Sequence, residues 1–268
     1  MTETKSSRIG ELERVWTPKV KWTVPQTRGE AVFLFPAFGP GSYNDVVGQV
    51  KANRERGAAL PTGEQLAFML DEAYNSADES IKNSSRTEFV RKNIMYGGWL
   101  WVPVVDVWTP KNIPNPGMYA VLDETGEGLA REITTEELED RLSKGNTERG
   151  VRFSKDRTVA FAPLPMIRGE YHEKGTLAQD GAFIANYGVE GAEKLDNVTR
   201  AFSWRPYSWV VNNTSDRPVK TLSALDRGGY LDDDGLGAYF VSDGGTFGYV
   251  LSVSGSKSVA EGSAPKNR

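Results

Sequence analysis

Gly97-Gly98-Trp99-Leu100-Trp101-Val102-Pro103-Val104-Val105-Asp106-Val107-Trp108-Thr109-Pro110 is the stretch whose reading decides the fold. It holds three of the seven tryptophans and is dominated by β-branched and aromatic residues, which fit a pleated, half-buried surface. Both parities of alternation are apolar: Trp99, Trp101, Val105 and Val107 on one side, Leu100, Val102, Val104 and Trp108 on the other. A strand apolar on both faces belongs at the centre of a sheet, with a layer packed against each side. Pro103 has no N–H to give to a ladder, so the run is either two short strands or one strand with a bulge.

Upstream of this run the patterning is largely helical. Residues 31–35 read as a buried strand, which Pro36 and the following glycines break. Ser42, with Asp45 three residues on, starts a helix to about Arg56, with Gly57 after its end and Val46, Val47 and Val50 as its inner stripe. Thr62 and Gln65 form a capping box for a second helix, whose Leu66, Met69, Leu70, Ala73 and Tyr74 recur at helical spacing. Residues 75–83 are a polar break. A third helix is expected from Ser85, with Glu88 at the box position and Phe89, Val90 and Ile94 buried, ending at Gly97-Gly98.

Downstream, strands and turns dominate. Pro114-Asn115-Pro116-Gly117 is a turn before a strand at 118–122, and Thr134 with Glu137 opens a short acidic helix that buries Leu138 and Leu142. Residues 151–162 read as a hairpin turning at 154–157. Thr176 caps a short helical segment, residues 183–187 are a buried run of either type, and 191–195 make one helical turn or two. Strands follow at 207–211, 219–225, 236–241 and 246–253, the last two joined by Asp243-Gly244-Gly245. The expected fold is α+β: a helix-rich N-terminal part packed on a mixed or antiparallel sheet built mainly from the C-terminal half. Residues 1–13 and 254–268 are expected to be disordered, with one domain over 14–253. A boundary near 145–150 is the alternative.

Composition removes several mechanisms. The 268 residues carry a formal net charge of −4, which gives no electrostatic case for nucleic acid or an anionic membrane. The chain has no cysteine, hence no disulfide, thiolate nucleophile, zinc–cysteine site or iron–sulfur cluster. Residues 1–9 lack the apolar run of a secretory signal and nothing is long enough to span a membrane as a helix, so the expected location is the cytoplasm. Phosphate-cradling glycine loops and the Gly-x-Ser-x-Gly elbow do not occur. One histidine, His172, cannot build a multi-imidazole metal site. Between Tyr171 and Glu173 it reads as a solvated surface residue, with a general base as the alternative.

Three constellations could carry chemistry. Asp106 is a lone acid inside the apolar run. Desolvated, it would have the raised pKa of a general acid, whereas beside a Pro103 bulge it would face solvent, which is the expectation here. Trp204, Arg205, Tyr207 and Trp209 make an aromatic–basic cluster that packs in the core or forms a stacking platform for a ligand. Asp232-Asp233-Asp234-Gly235 resembles the start of an oxygen-ligand cation loop but misses the EF-hand spacing. It reads as a solvated acidic turn, with Asp232 and Asp234 as ligands if calcium or magnesium binds. No cofactor is otherwise implied.

Two stretches carry a resemblance. Residues 35–43, Phe-Pro-Ala-Phe-Gly-Pro-Gly-Ser-Tyr, together with 60–65, Leu-Pro-Thr-Gly-Glu-Gln, resemble hypothetical proteins of archaea and small-genome bacteria. Leu60-Pro61-Thr62 opening a helix, with a late hairpin at Gly244-Gly245, is similar to the layout of C-type-lectin-like domains of the sulfatase-modifying kind. The arginine-and-glycine core motif and the active-site cysteine of those enzymes are not found here. The resemblance therefore implies a mixed α/β scaffold displaying ligand loops, and transfers no functional residue. The leading expectation is a non-catalytic ligand-binding or interaction module with a small ligand or protein partner. The alternatives are a carboxylate-based, cation-assisted hydrolase acting on carbohydrate, and a structural or assembly subunit.

Overall fold

The computed structural model describes residues 20–27, 29–35, 38, 43–56, 58–91, 100–127, 130–201, 207–208, 211, 216–226 and 237–241. The strands are β1 (Val20–Pro25), β2 (Glu30–Phe35), β3 (Leu100–Trp108), β4 (Gly117–Leu122), β5 (Asn146–Glu148), β6 (Val151–Phe153), β7 (Val159–Pro163), β8 (Glu170–Tyr171), β9 (Tyr207–Ser208), β10 (Val219–Asp226) and β11 (Gly237–Val241). The helices are α1 (Tyr43–Ala52), α2 (Gly63–Asn75), α3 (Glu79–Lys82), α4 (Ser85–Phe89), α5 (Thr135–Ser143) and α6 (Gly181–Arg200). The class is α+β.

β3 is central and every one of its nine residues is buried. It lies between β4 and β10 in a nine-stranded sheet of order β5-β6-β7-β4-β3-β10-β11-β9-β8. All neighbours are antiparallel except β11 and β9, so the sheet is mixed. Pro103 produces the bulge its missing N–H requires: Val105 pairs with Leu222 and the register resumes at Val102 with Ser223. The freed Pro103 carbonyl accepts from the Asp123 N–H at 2.8 Å. Because two residues are skipped, the alternation survives the bulge.

The two parities of β3 therefore enter two different cores. Leu100, Val102, Val104 and Trp108 pack with Trp22 and Phe33 of the β1–β2 hairpin, Leu66, Met69 and Leu70 of α2, and Phe183, Ile184 and Leu195 of α6. Trp101, Val105 and Val107 pack with Val46, Val47 and Val50 of α1 and Leu138 and Leu142 of α5. Burying each large side chain contributes roughly 1.5–3 kcal/mol. Trp108 also satisfies its indole N–H, which donates to Thr221 Oγ1 at 3.2 Å. Trp99 lies outside the described residues.

Local signals set several element starts. The Thr62–Gln65 box closes in both directions, Gln65 N to Thr62 Oγ1 at 3.2 Å and Thr62 N to Gln65 Oε1 at 2.8 Å. Thr134 caps α5 through the Glu137 N–H at 3.2 Å. The third helix begins at Ser85, as expected, with its cap one residue earlier than the Ser85–Glu88 box implied. Its cap is Ser84, which accepts from Thr87 N at 3.3 Å, and the polar break before it holds α3, capped by Asp78.

The largest difference is α6. The buried run and the one or two turns expected at 183–195 are parts of one 20-residue helical element. Asp180 supplies its N-cap, while Thr176 makes no side-chain cap bond. Gly188 interrupts it with φ +72°, a conformation glycine adopts without strain, so the element is kinked there. Gly191 does not break it; this glycine lets α6 sit directly on Ala67 and the backbone of Glu64 in α2.

Candidate functional site

Asp106 is enclosed, with 0% exposure, and the expectation of a solvent-facing bulge residue is overturned. The bulge falls at residues 103–104, and Asp106 lies beyond it, paired between Thr221 and Ala120. Even parity turns it to the α2–α6 core, where Oδ2 accepts from Ser223 Oγ at 2.8 Å and the carboxyl is bonded by the Asn186 side chain. Burial pushes its pKa well above the carboxylate range, against the smaller lowering from these two partners. Its Oδ1, Asn186 Oδ1 and the Tyr187 hydroxyl are buried without a partner.

His172 is buried at 2% exposure, not solvated. Its exposed neighbour Tyr171 disguises it, since adjacent residues in extended chain point to opposite sides. Nε2 lies 2.8 Å from Ser208 Oγ and 3.9 Å from Asp180 Oδ2, and the ring meets Phe183 edge-on at 5.6 Å. The three residue types are those of a hydrolytic triad, but the polarity is wrong. The Ser208 hydroxyl donates to the Arg168 carbonyl at 3.0 Å, so Nε2 must be the donor to Ser208 and cannot take its proton. Both partners meet the same ring nitrogen. Asp180 is committed to backbone N–H groups, Arg168 at 2.7 Å and Ala182 at 2.8 Å. Burial, and secondarily the Arg168 charge, lowers the His172 pKa to about 4. Burial raises Asp180 to about 6 despite its N–H donors. The arrangement is a clasp that holds the start of α6.

Trp204, Arg205, Trp209, Asp232 and Asp234 lie outside the described residues, as does the Asp243–Gly245 turn. Tyr207 is placed by its backbone alone, between Gly237 and Tyr171 in the sheet. Among the described residues no group of three or more His, Asp or Glu is arranged to hold a metal ion. Among them, too, no helix is long and apolar enough to cross a membrane.

Concave surface gathers around the N-terminal end of α2, where Thr62 lines three adjoining cavities. The first, about 450 Å³, is lined by Lys51 and Arg54, by Asp123, Glu124 and Thr125, and by apolar Val50, Ala58, Leu60 and Leu122. Asp123 is buried there and accepts from the Tyr43 hydroxyl at 2.6 Å; burial, then the Asp123 charge, pushes that phenol far above its usual range. The second, about 140 Å³, lies between Gly63, the β6–β7 turn at Asp156–Thr158 and the α6 kink at Asn186–Gly188. The third, about 470 Å³, carries Glu30, Glu64, Glu148 and Glu190 with Arg157, whose guanidinium bonds both Glu148 oxygens at 2.6 and 3.1 Å. The capping box marks where this cleft begins. Its walls come from segments far apart in sequence, and nothing local announces their meeting.

No protein-family model matches the chain, and no curated protein matches it. Among solved structures, 77% of this chain superposes on 92% of a chain described as the C-type lectin fold accommodating massive sequence variation in Nanoarchaeota, at 16% identity and a TM-score of 0.48.

Proposed function

We propose that the protein is a non-catalytic binding module whose ligand, a small polar molecule, sits in the cleft around Thr62. The observation that carries this reading is the convergence of the three cavities on one helix start. The two larger ones fall within the 300–1,000 Å³ typical of small-molecule sites. Their charges differ: the first offers Lys51 and Arg54 together with Asp123 and Glu124, suited to a ligand bearing both an anionic group and hydrogen-bond donors. The third is mainly acidic. Binding is favoured over carbohydrate hydrolysis because the acids with raised pKa, Asp106, Asp180 and Asp196, line none of the cavities. A proton donor must reach the bond it cleaves.

A thermal-shift panel of amino acids, sugars, nucleotides and divalent cations tests the reading, since a ligand of the folded state raises the melting temperature. At least one class is expected to raise it. The rise should disappear in Lys51→Glu with Arg54→Glu or in Glu30→Gln with Glu190→Gln, all at exposed positions. A panel without any rise, or a rise that both double variants keep, contradicts it.

A further inference from the structure

We propose that Asp106 carries a proton in the folded protein and that this proton fastens the kinked helix α6 to β3, so that losing it frees the helix at Gly188. An ionised Asp106 leaves a buried acceptor, Oδ1, beside two further unpartnered groups, Asn186 Oδ1 and the Tyr187 hydroxyl. Three buried oxygens then stand without a hydrogen-bond partner. One proton on Asp106 Oδ1 turns an acceptor into a donor for Asn186 Oδ1, which completes an acid–amide pair with the bond the Asn186 side chain already makes to the carboxyl. A buried carboxylate also needs a countercharge, and none faces it among the described residues. β10 presents Ser223 and Thr221, β4 presents Ala120, α2 buries only apolar residues and glycine, and α6 presents Asn186 and the titratable Tyr187 phenol.

Asn186, which bonds Asp106, and Tyr187 are the last two residues before the kink, and Gly188 holds φ +72° there. The same three residues line the small cavity next to Gly63. A charge formed on Asp106 must be hydrated or neutralised. A route open to it is movement of the Asn186–Gly188 turn, which bonds the carboxyl on one side and lines a cavity on the other. The device stands whether or not the cleft holds a ligand.

The test is hydrogen–deuterium exchange from pH 7 to 9 on the full chain, corrected for intrinsic exchange, together with infrared spectra of protein labelled with 13C-aspartate. Asp180, at about 6, has lost its proton across this range, and His172, at about 4, is neutral. At pH 7 the wild type should show a carboxylic-acid carbonyl band that Asp106→Asn lacks. While that band persists, protection at residues 181–191 should fall about tenfold per pH unit, the linkage of one proton held closed and released on opening, and level off where the band titrates, while residues 66–73 of α2 hold theirs. Asp106→Asn should make residues 181–191 pH-independent. Should that variant not fold, the wild-type band and wild-type exchange decide alone. Absence of the acid band at pH 7 overturns the proposal. So does a band that titrates without loss of protection at 181–191.

Discussion

Two buried aspartates hold α6, one at its start and one at its kink, and they solve the problem of a desolvated carboxyl differently. Asp180 lies at a chain end of the helix, where unsatisfied backbone N–H groups are in supply, and it takes the Arg168 and Ala182 amides on separate oxygens. Asp106 lies in mid-strand, where the ladder consumes the backbone donors, and it has only the Ser223 hydroxyl and the Asn186 side chain. One site is saturated and the other leaves three oxygens without a partner. The difference follows from secondary structure: a helix N-terminus offers donors, whereas the middle of a central strand has none to spare.

The largest way to test this contrast is Asp180→Ala. It orphans at least two enclosed N–H groups and removes a cap, and should cost about 4 kcal/mol in equilibrium unfolding at pH 7. A loss below about 1 kcal/mol would mean the clasp is not a stabilising element. Next is Gly63→Ala, on the Asp106 side. A Cβ at this position falls on the Asn186 carbonyl oxygen and would push α2 off the kink. Overpacking of this kind should cost about 3 kcal/mol, measurable as a lower denaturation midpoint, and raise exchange at residues 186–190 first. Uniform loss of protection along α6 would argue against a local hinge.

The smallest effect at any one step is pH-dependent and accrues per pH unit. The folded His172 pKa, about 4, lies below its unfolded value of 6.5, so between these limits the unfolded chain binds the extra proton. Stability from the neutral ring is complete above pH 6.5 and is lost as pH falls toward 4. The deficit of His172→Asn relative to wild type should therefore shrink by about 1.4 kcal/mol per pH unit below 6.5. Asp180, raised to about 6, has the opposite sign: its contribution is lost as pH rises from its unfolded value of 3.8 through 6, so only the difference between the two proteins isolates the histidine. A deficit independent of pH would show that His172 titrates normally.

Much of the frame was legible in the residues. The double parity of 99–108 predicted a central strand with two cores, Pro103 predicted the bulge, and Thr62, Gln65 and Thr134 marked helix starts through bonds that span three residues or fewer. What failed depended on tertiary contact. Residues 191–195 read as one or two separate turns until α2 is seen against Gly191, and Asp106 reads as a bulge residue until the helices close over it. His172 reads as solvated because its sequence neighbours are polar. The cleft was least legible, because Lys51, Thr62, Asp123 and Glu190 are joined only by folding.

The contrast between the two aspartates is tested most directly by unfolding Asp106→Asn and Asp180→Ala side by side with the wild type at pH 8. In the wild type a protonated Asp106 must be held against an unfolded chain that releases its proton, and asparagine keeps the donor without that cost. Asp106→Asn should therefore unfold at an equal or higher denaturant concentration than wild type, and Asp180→Ala at a clearly lower one. An Asp106→Asn protein less stable than wild type at pH 8, with the deficit unchanged at pH 5, would contradict the account.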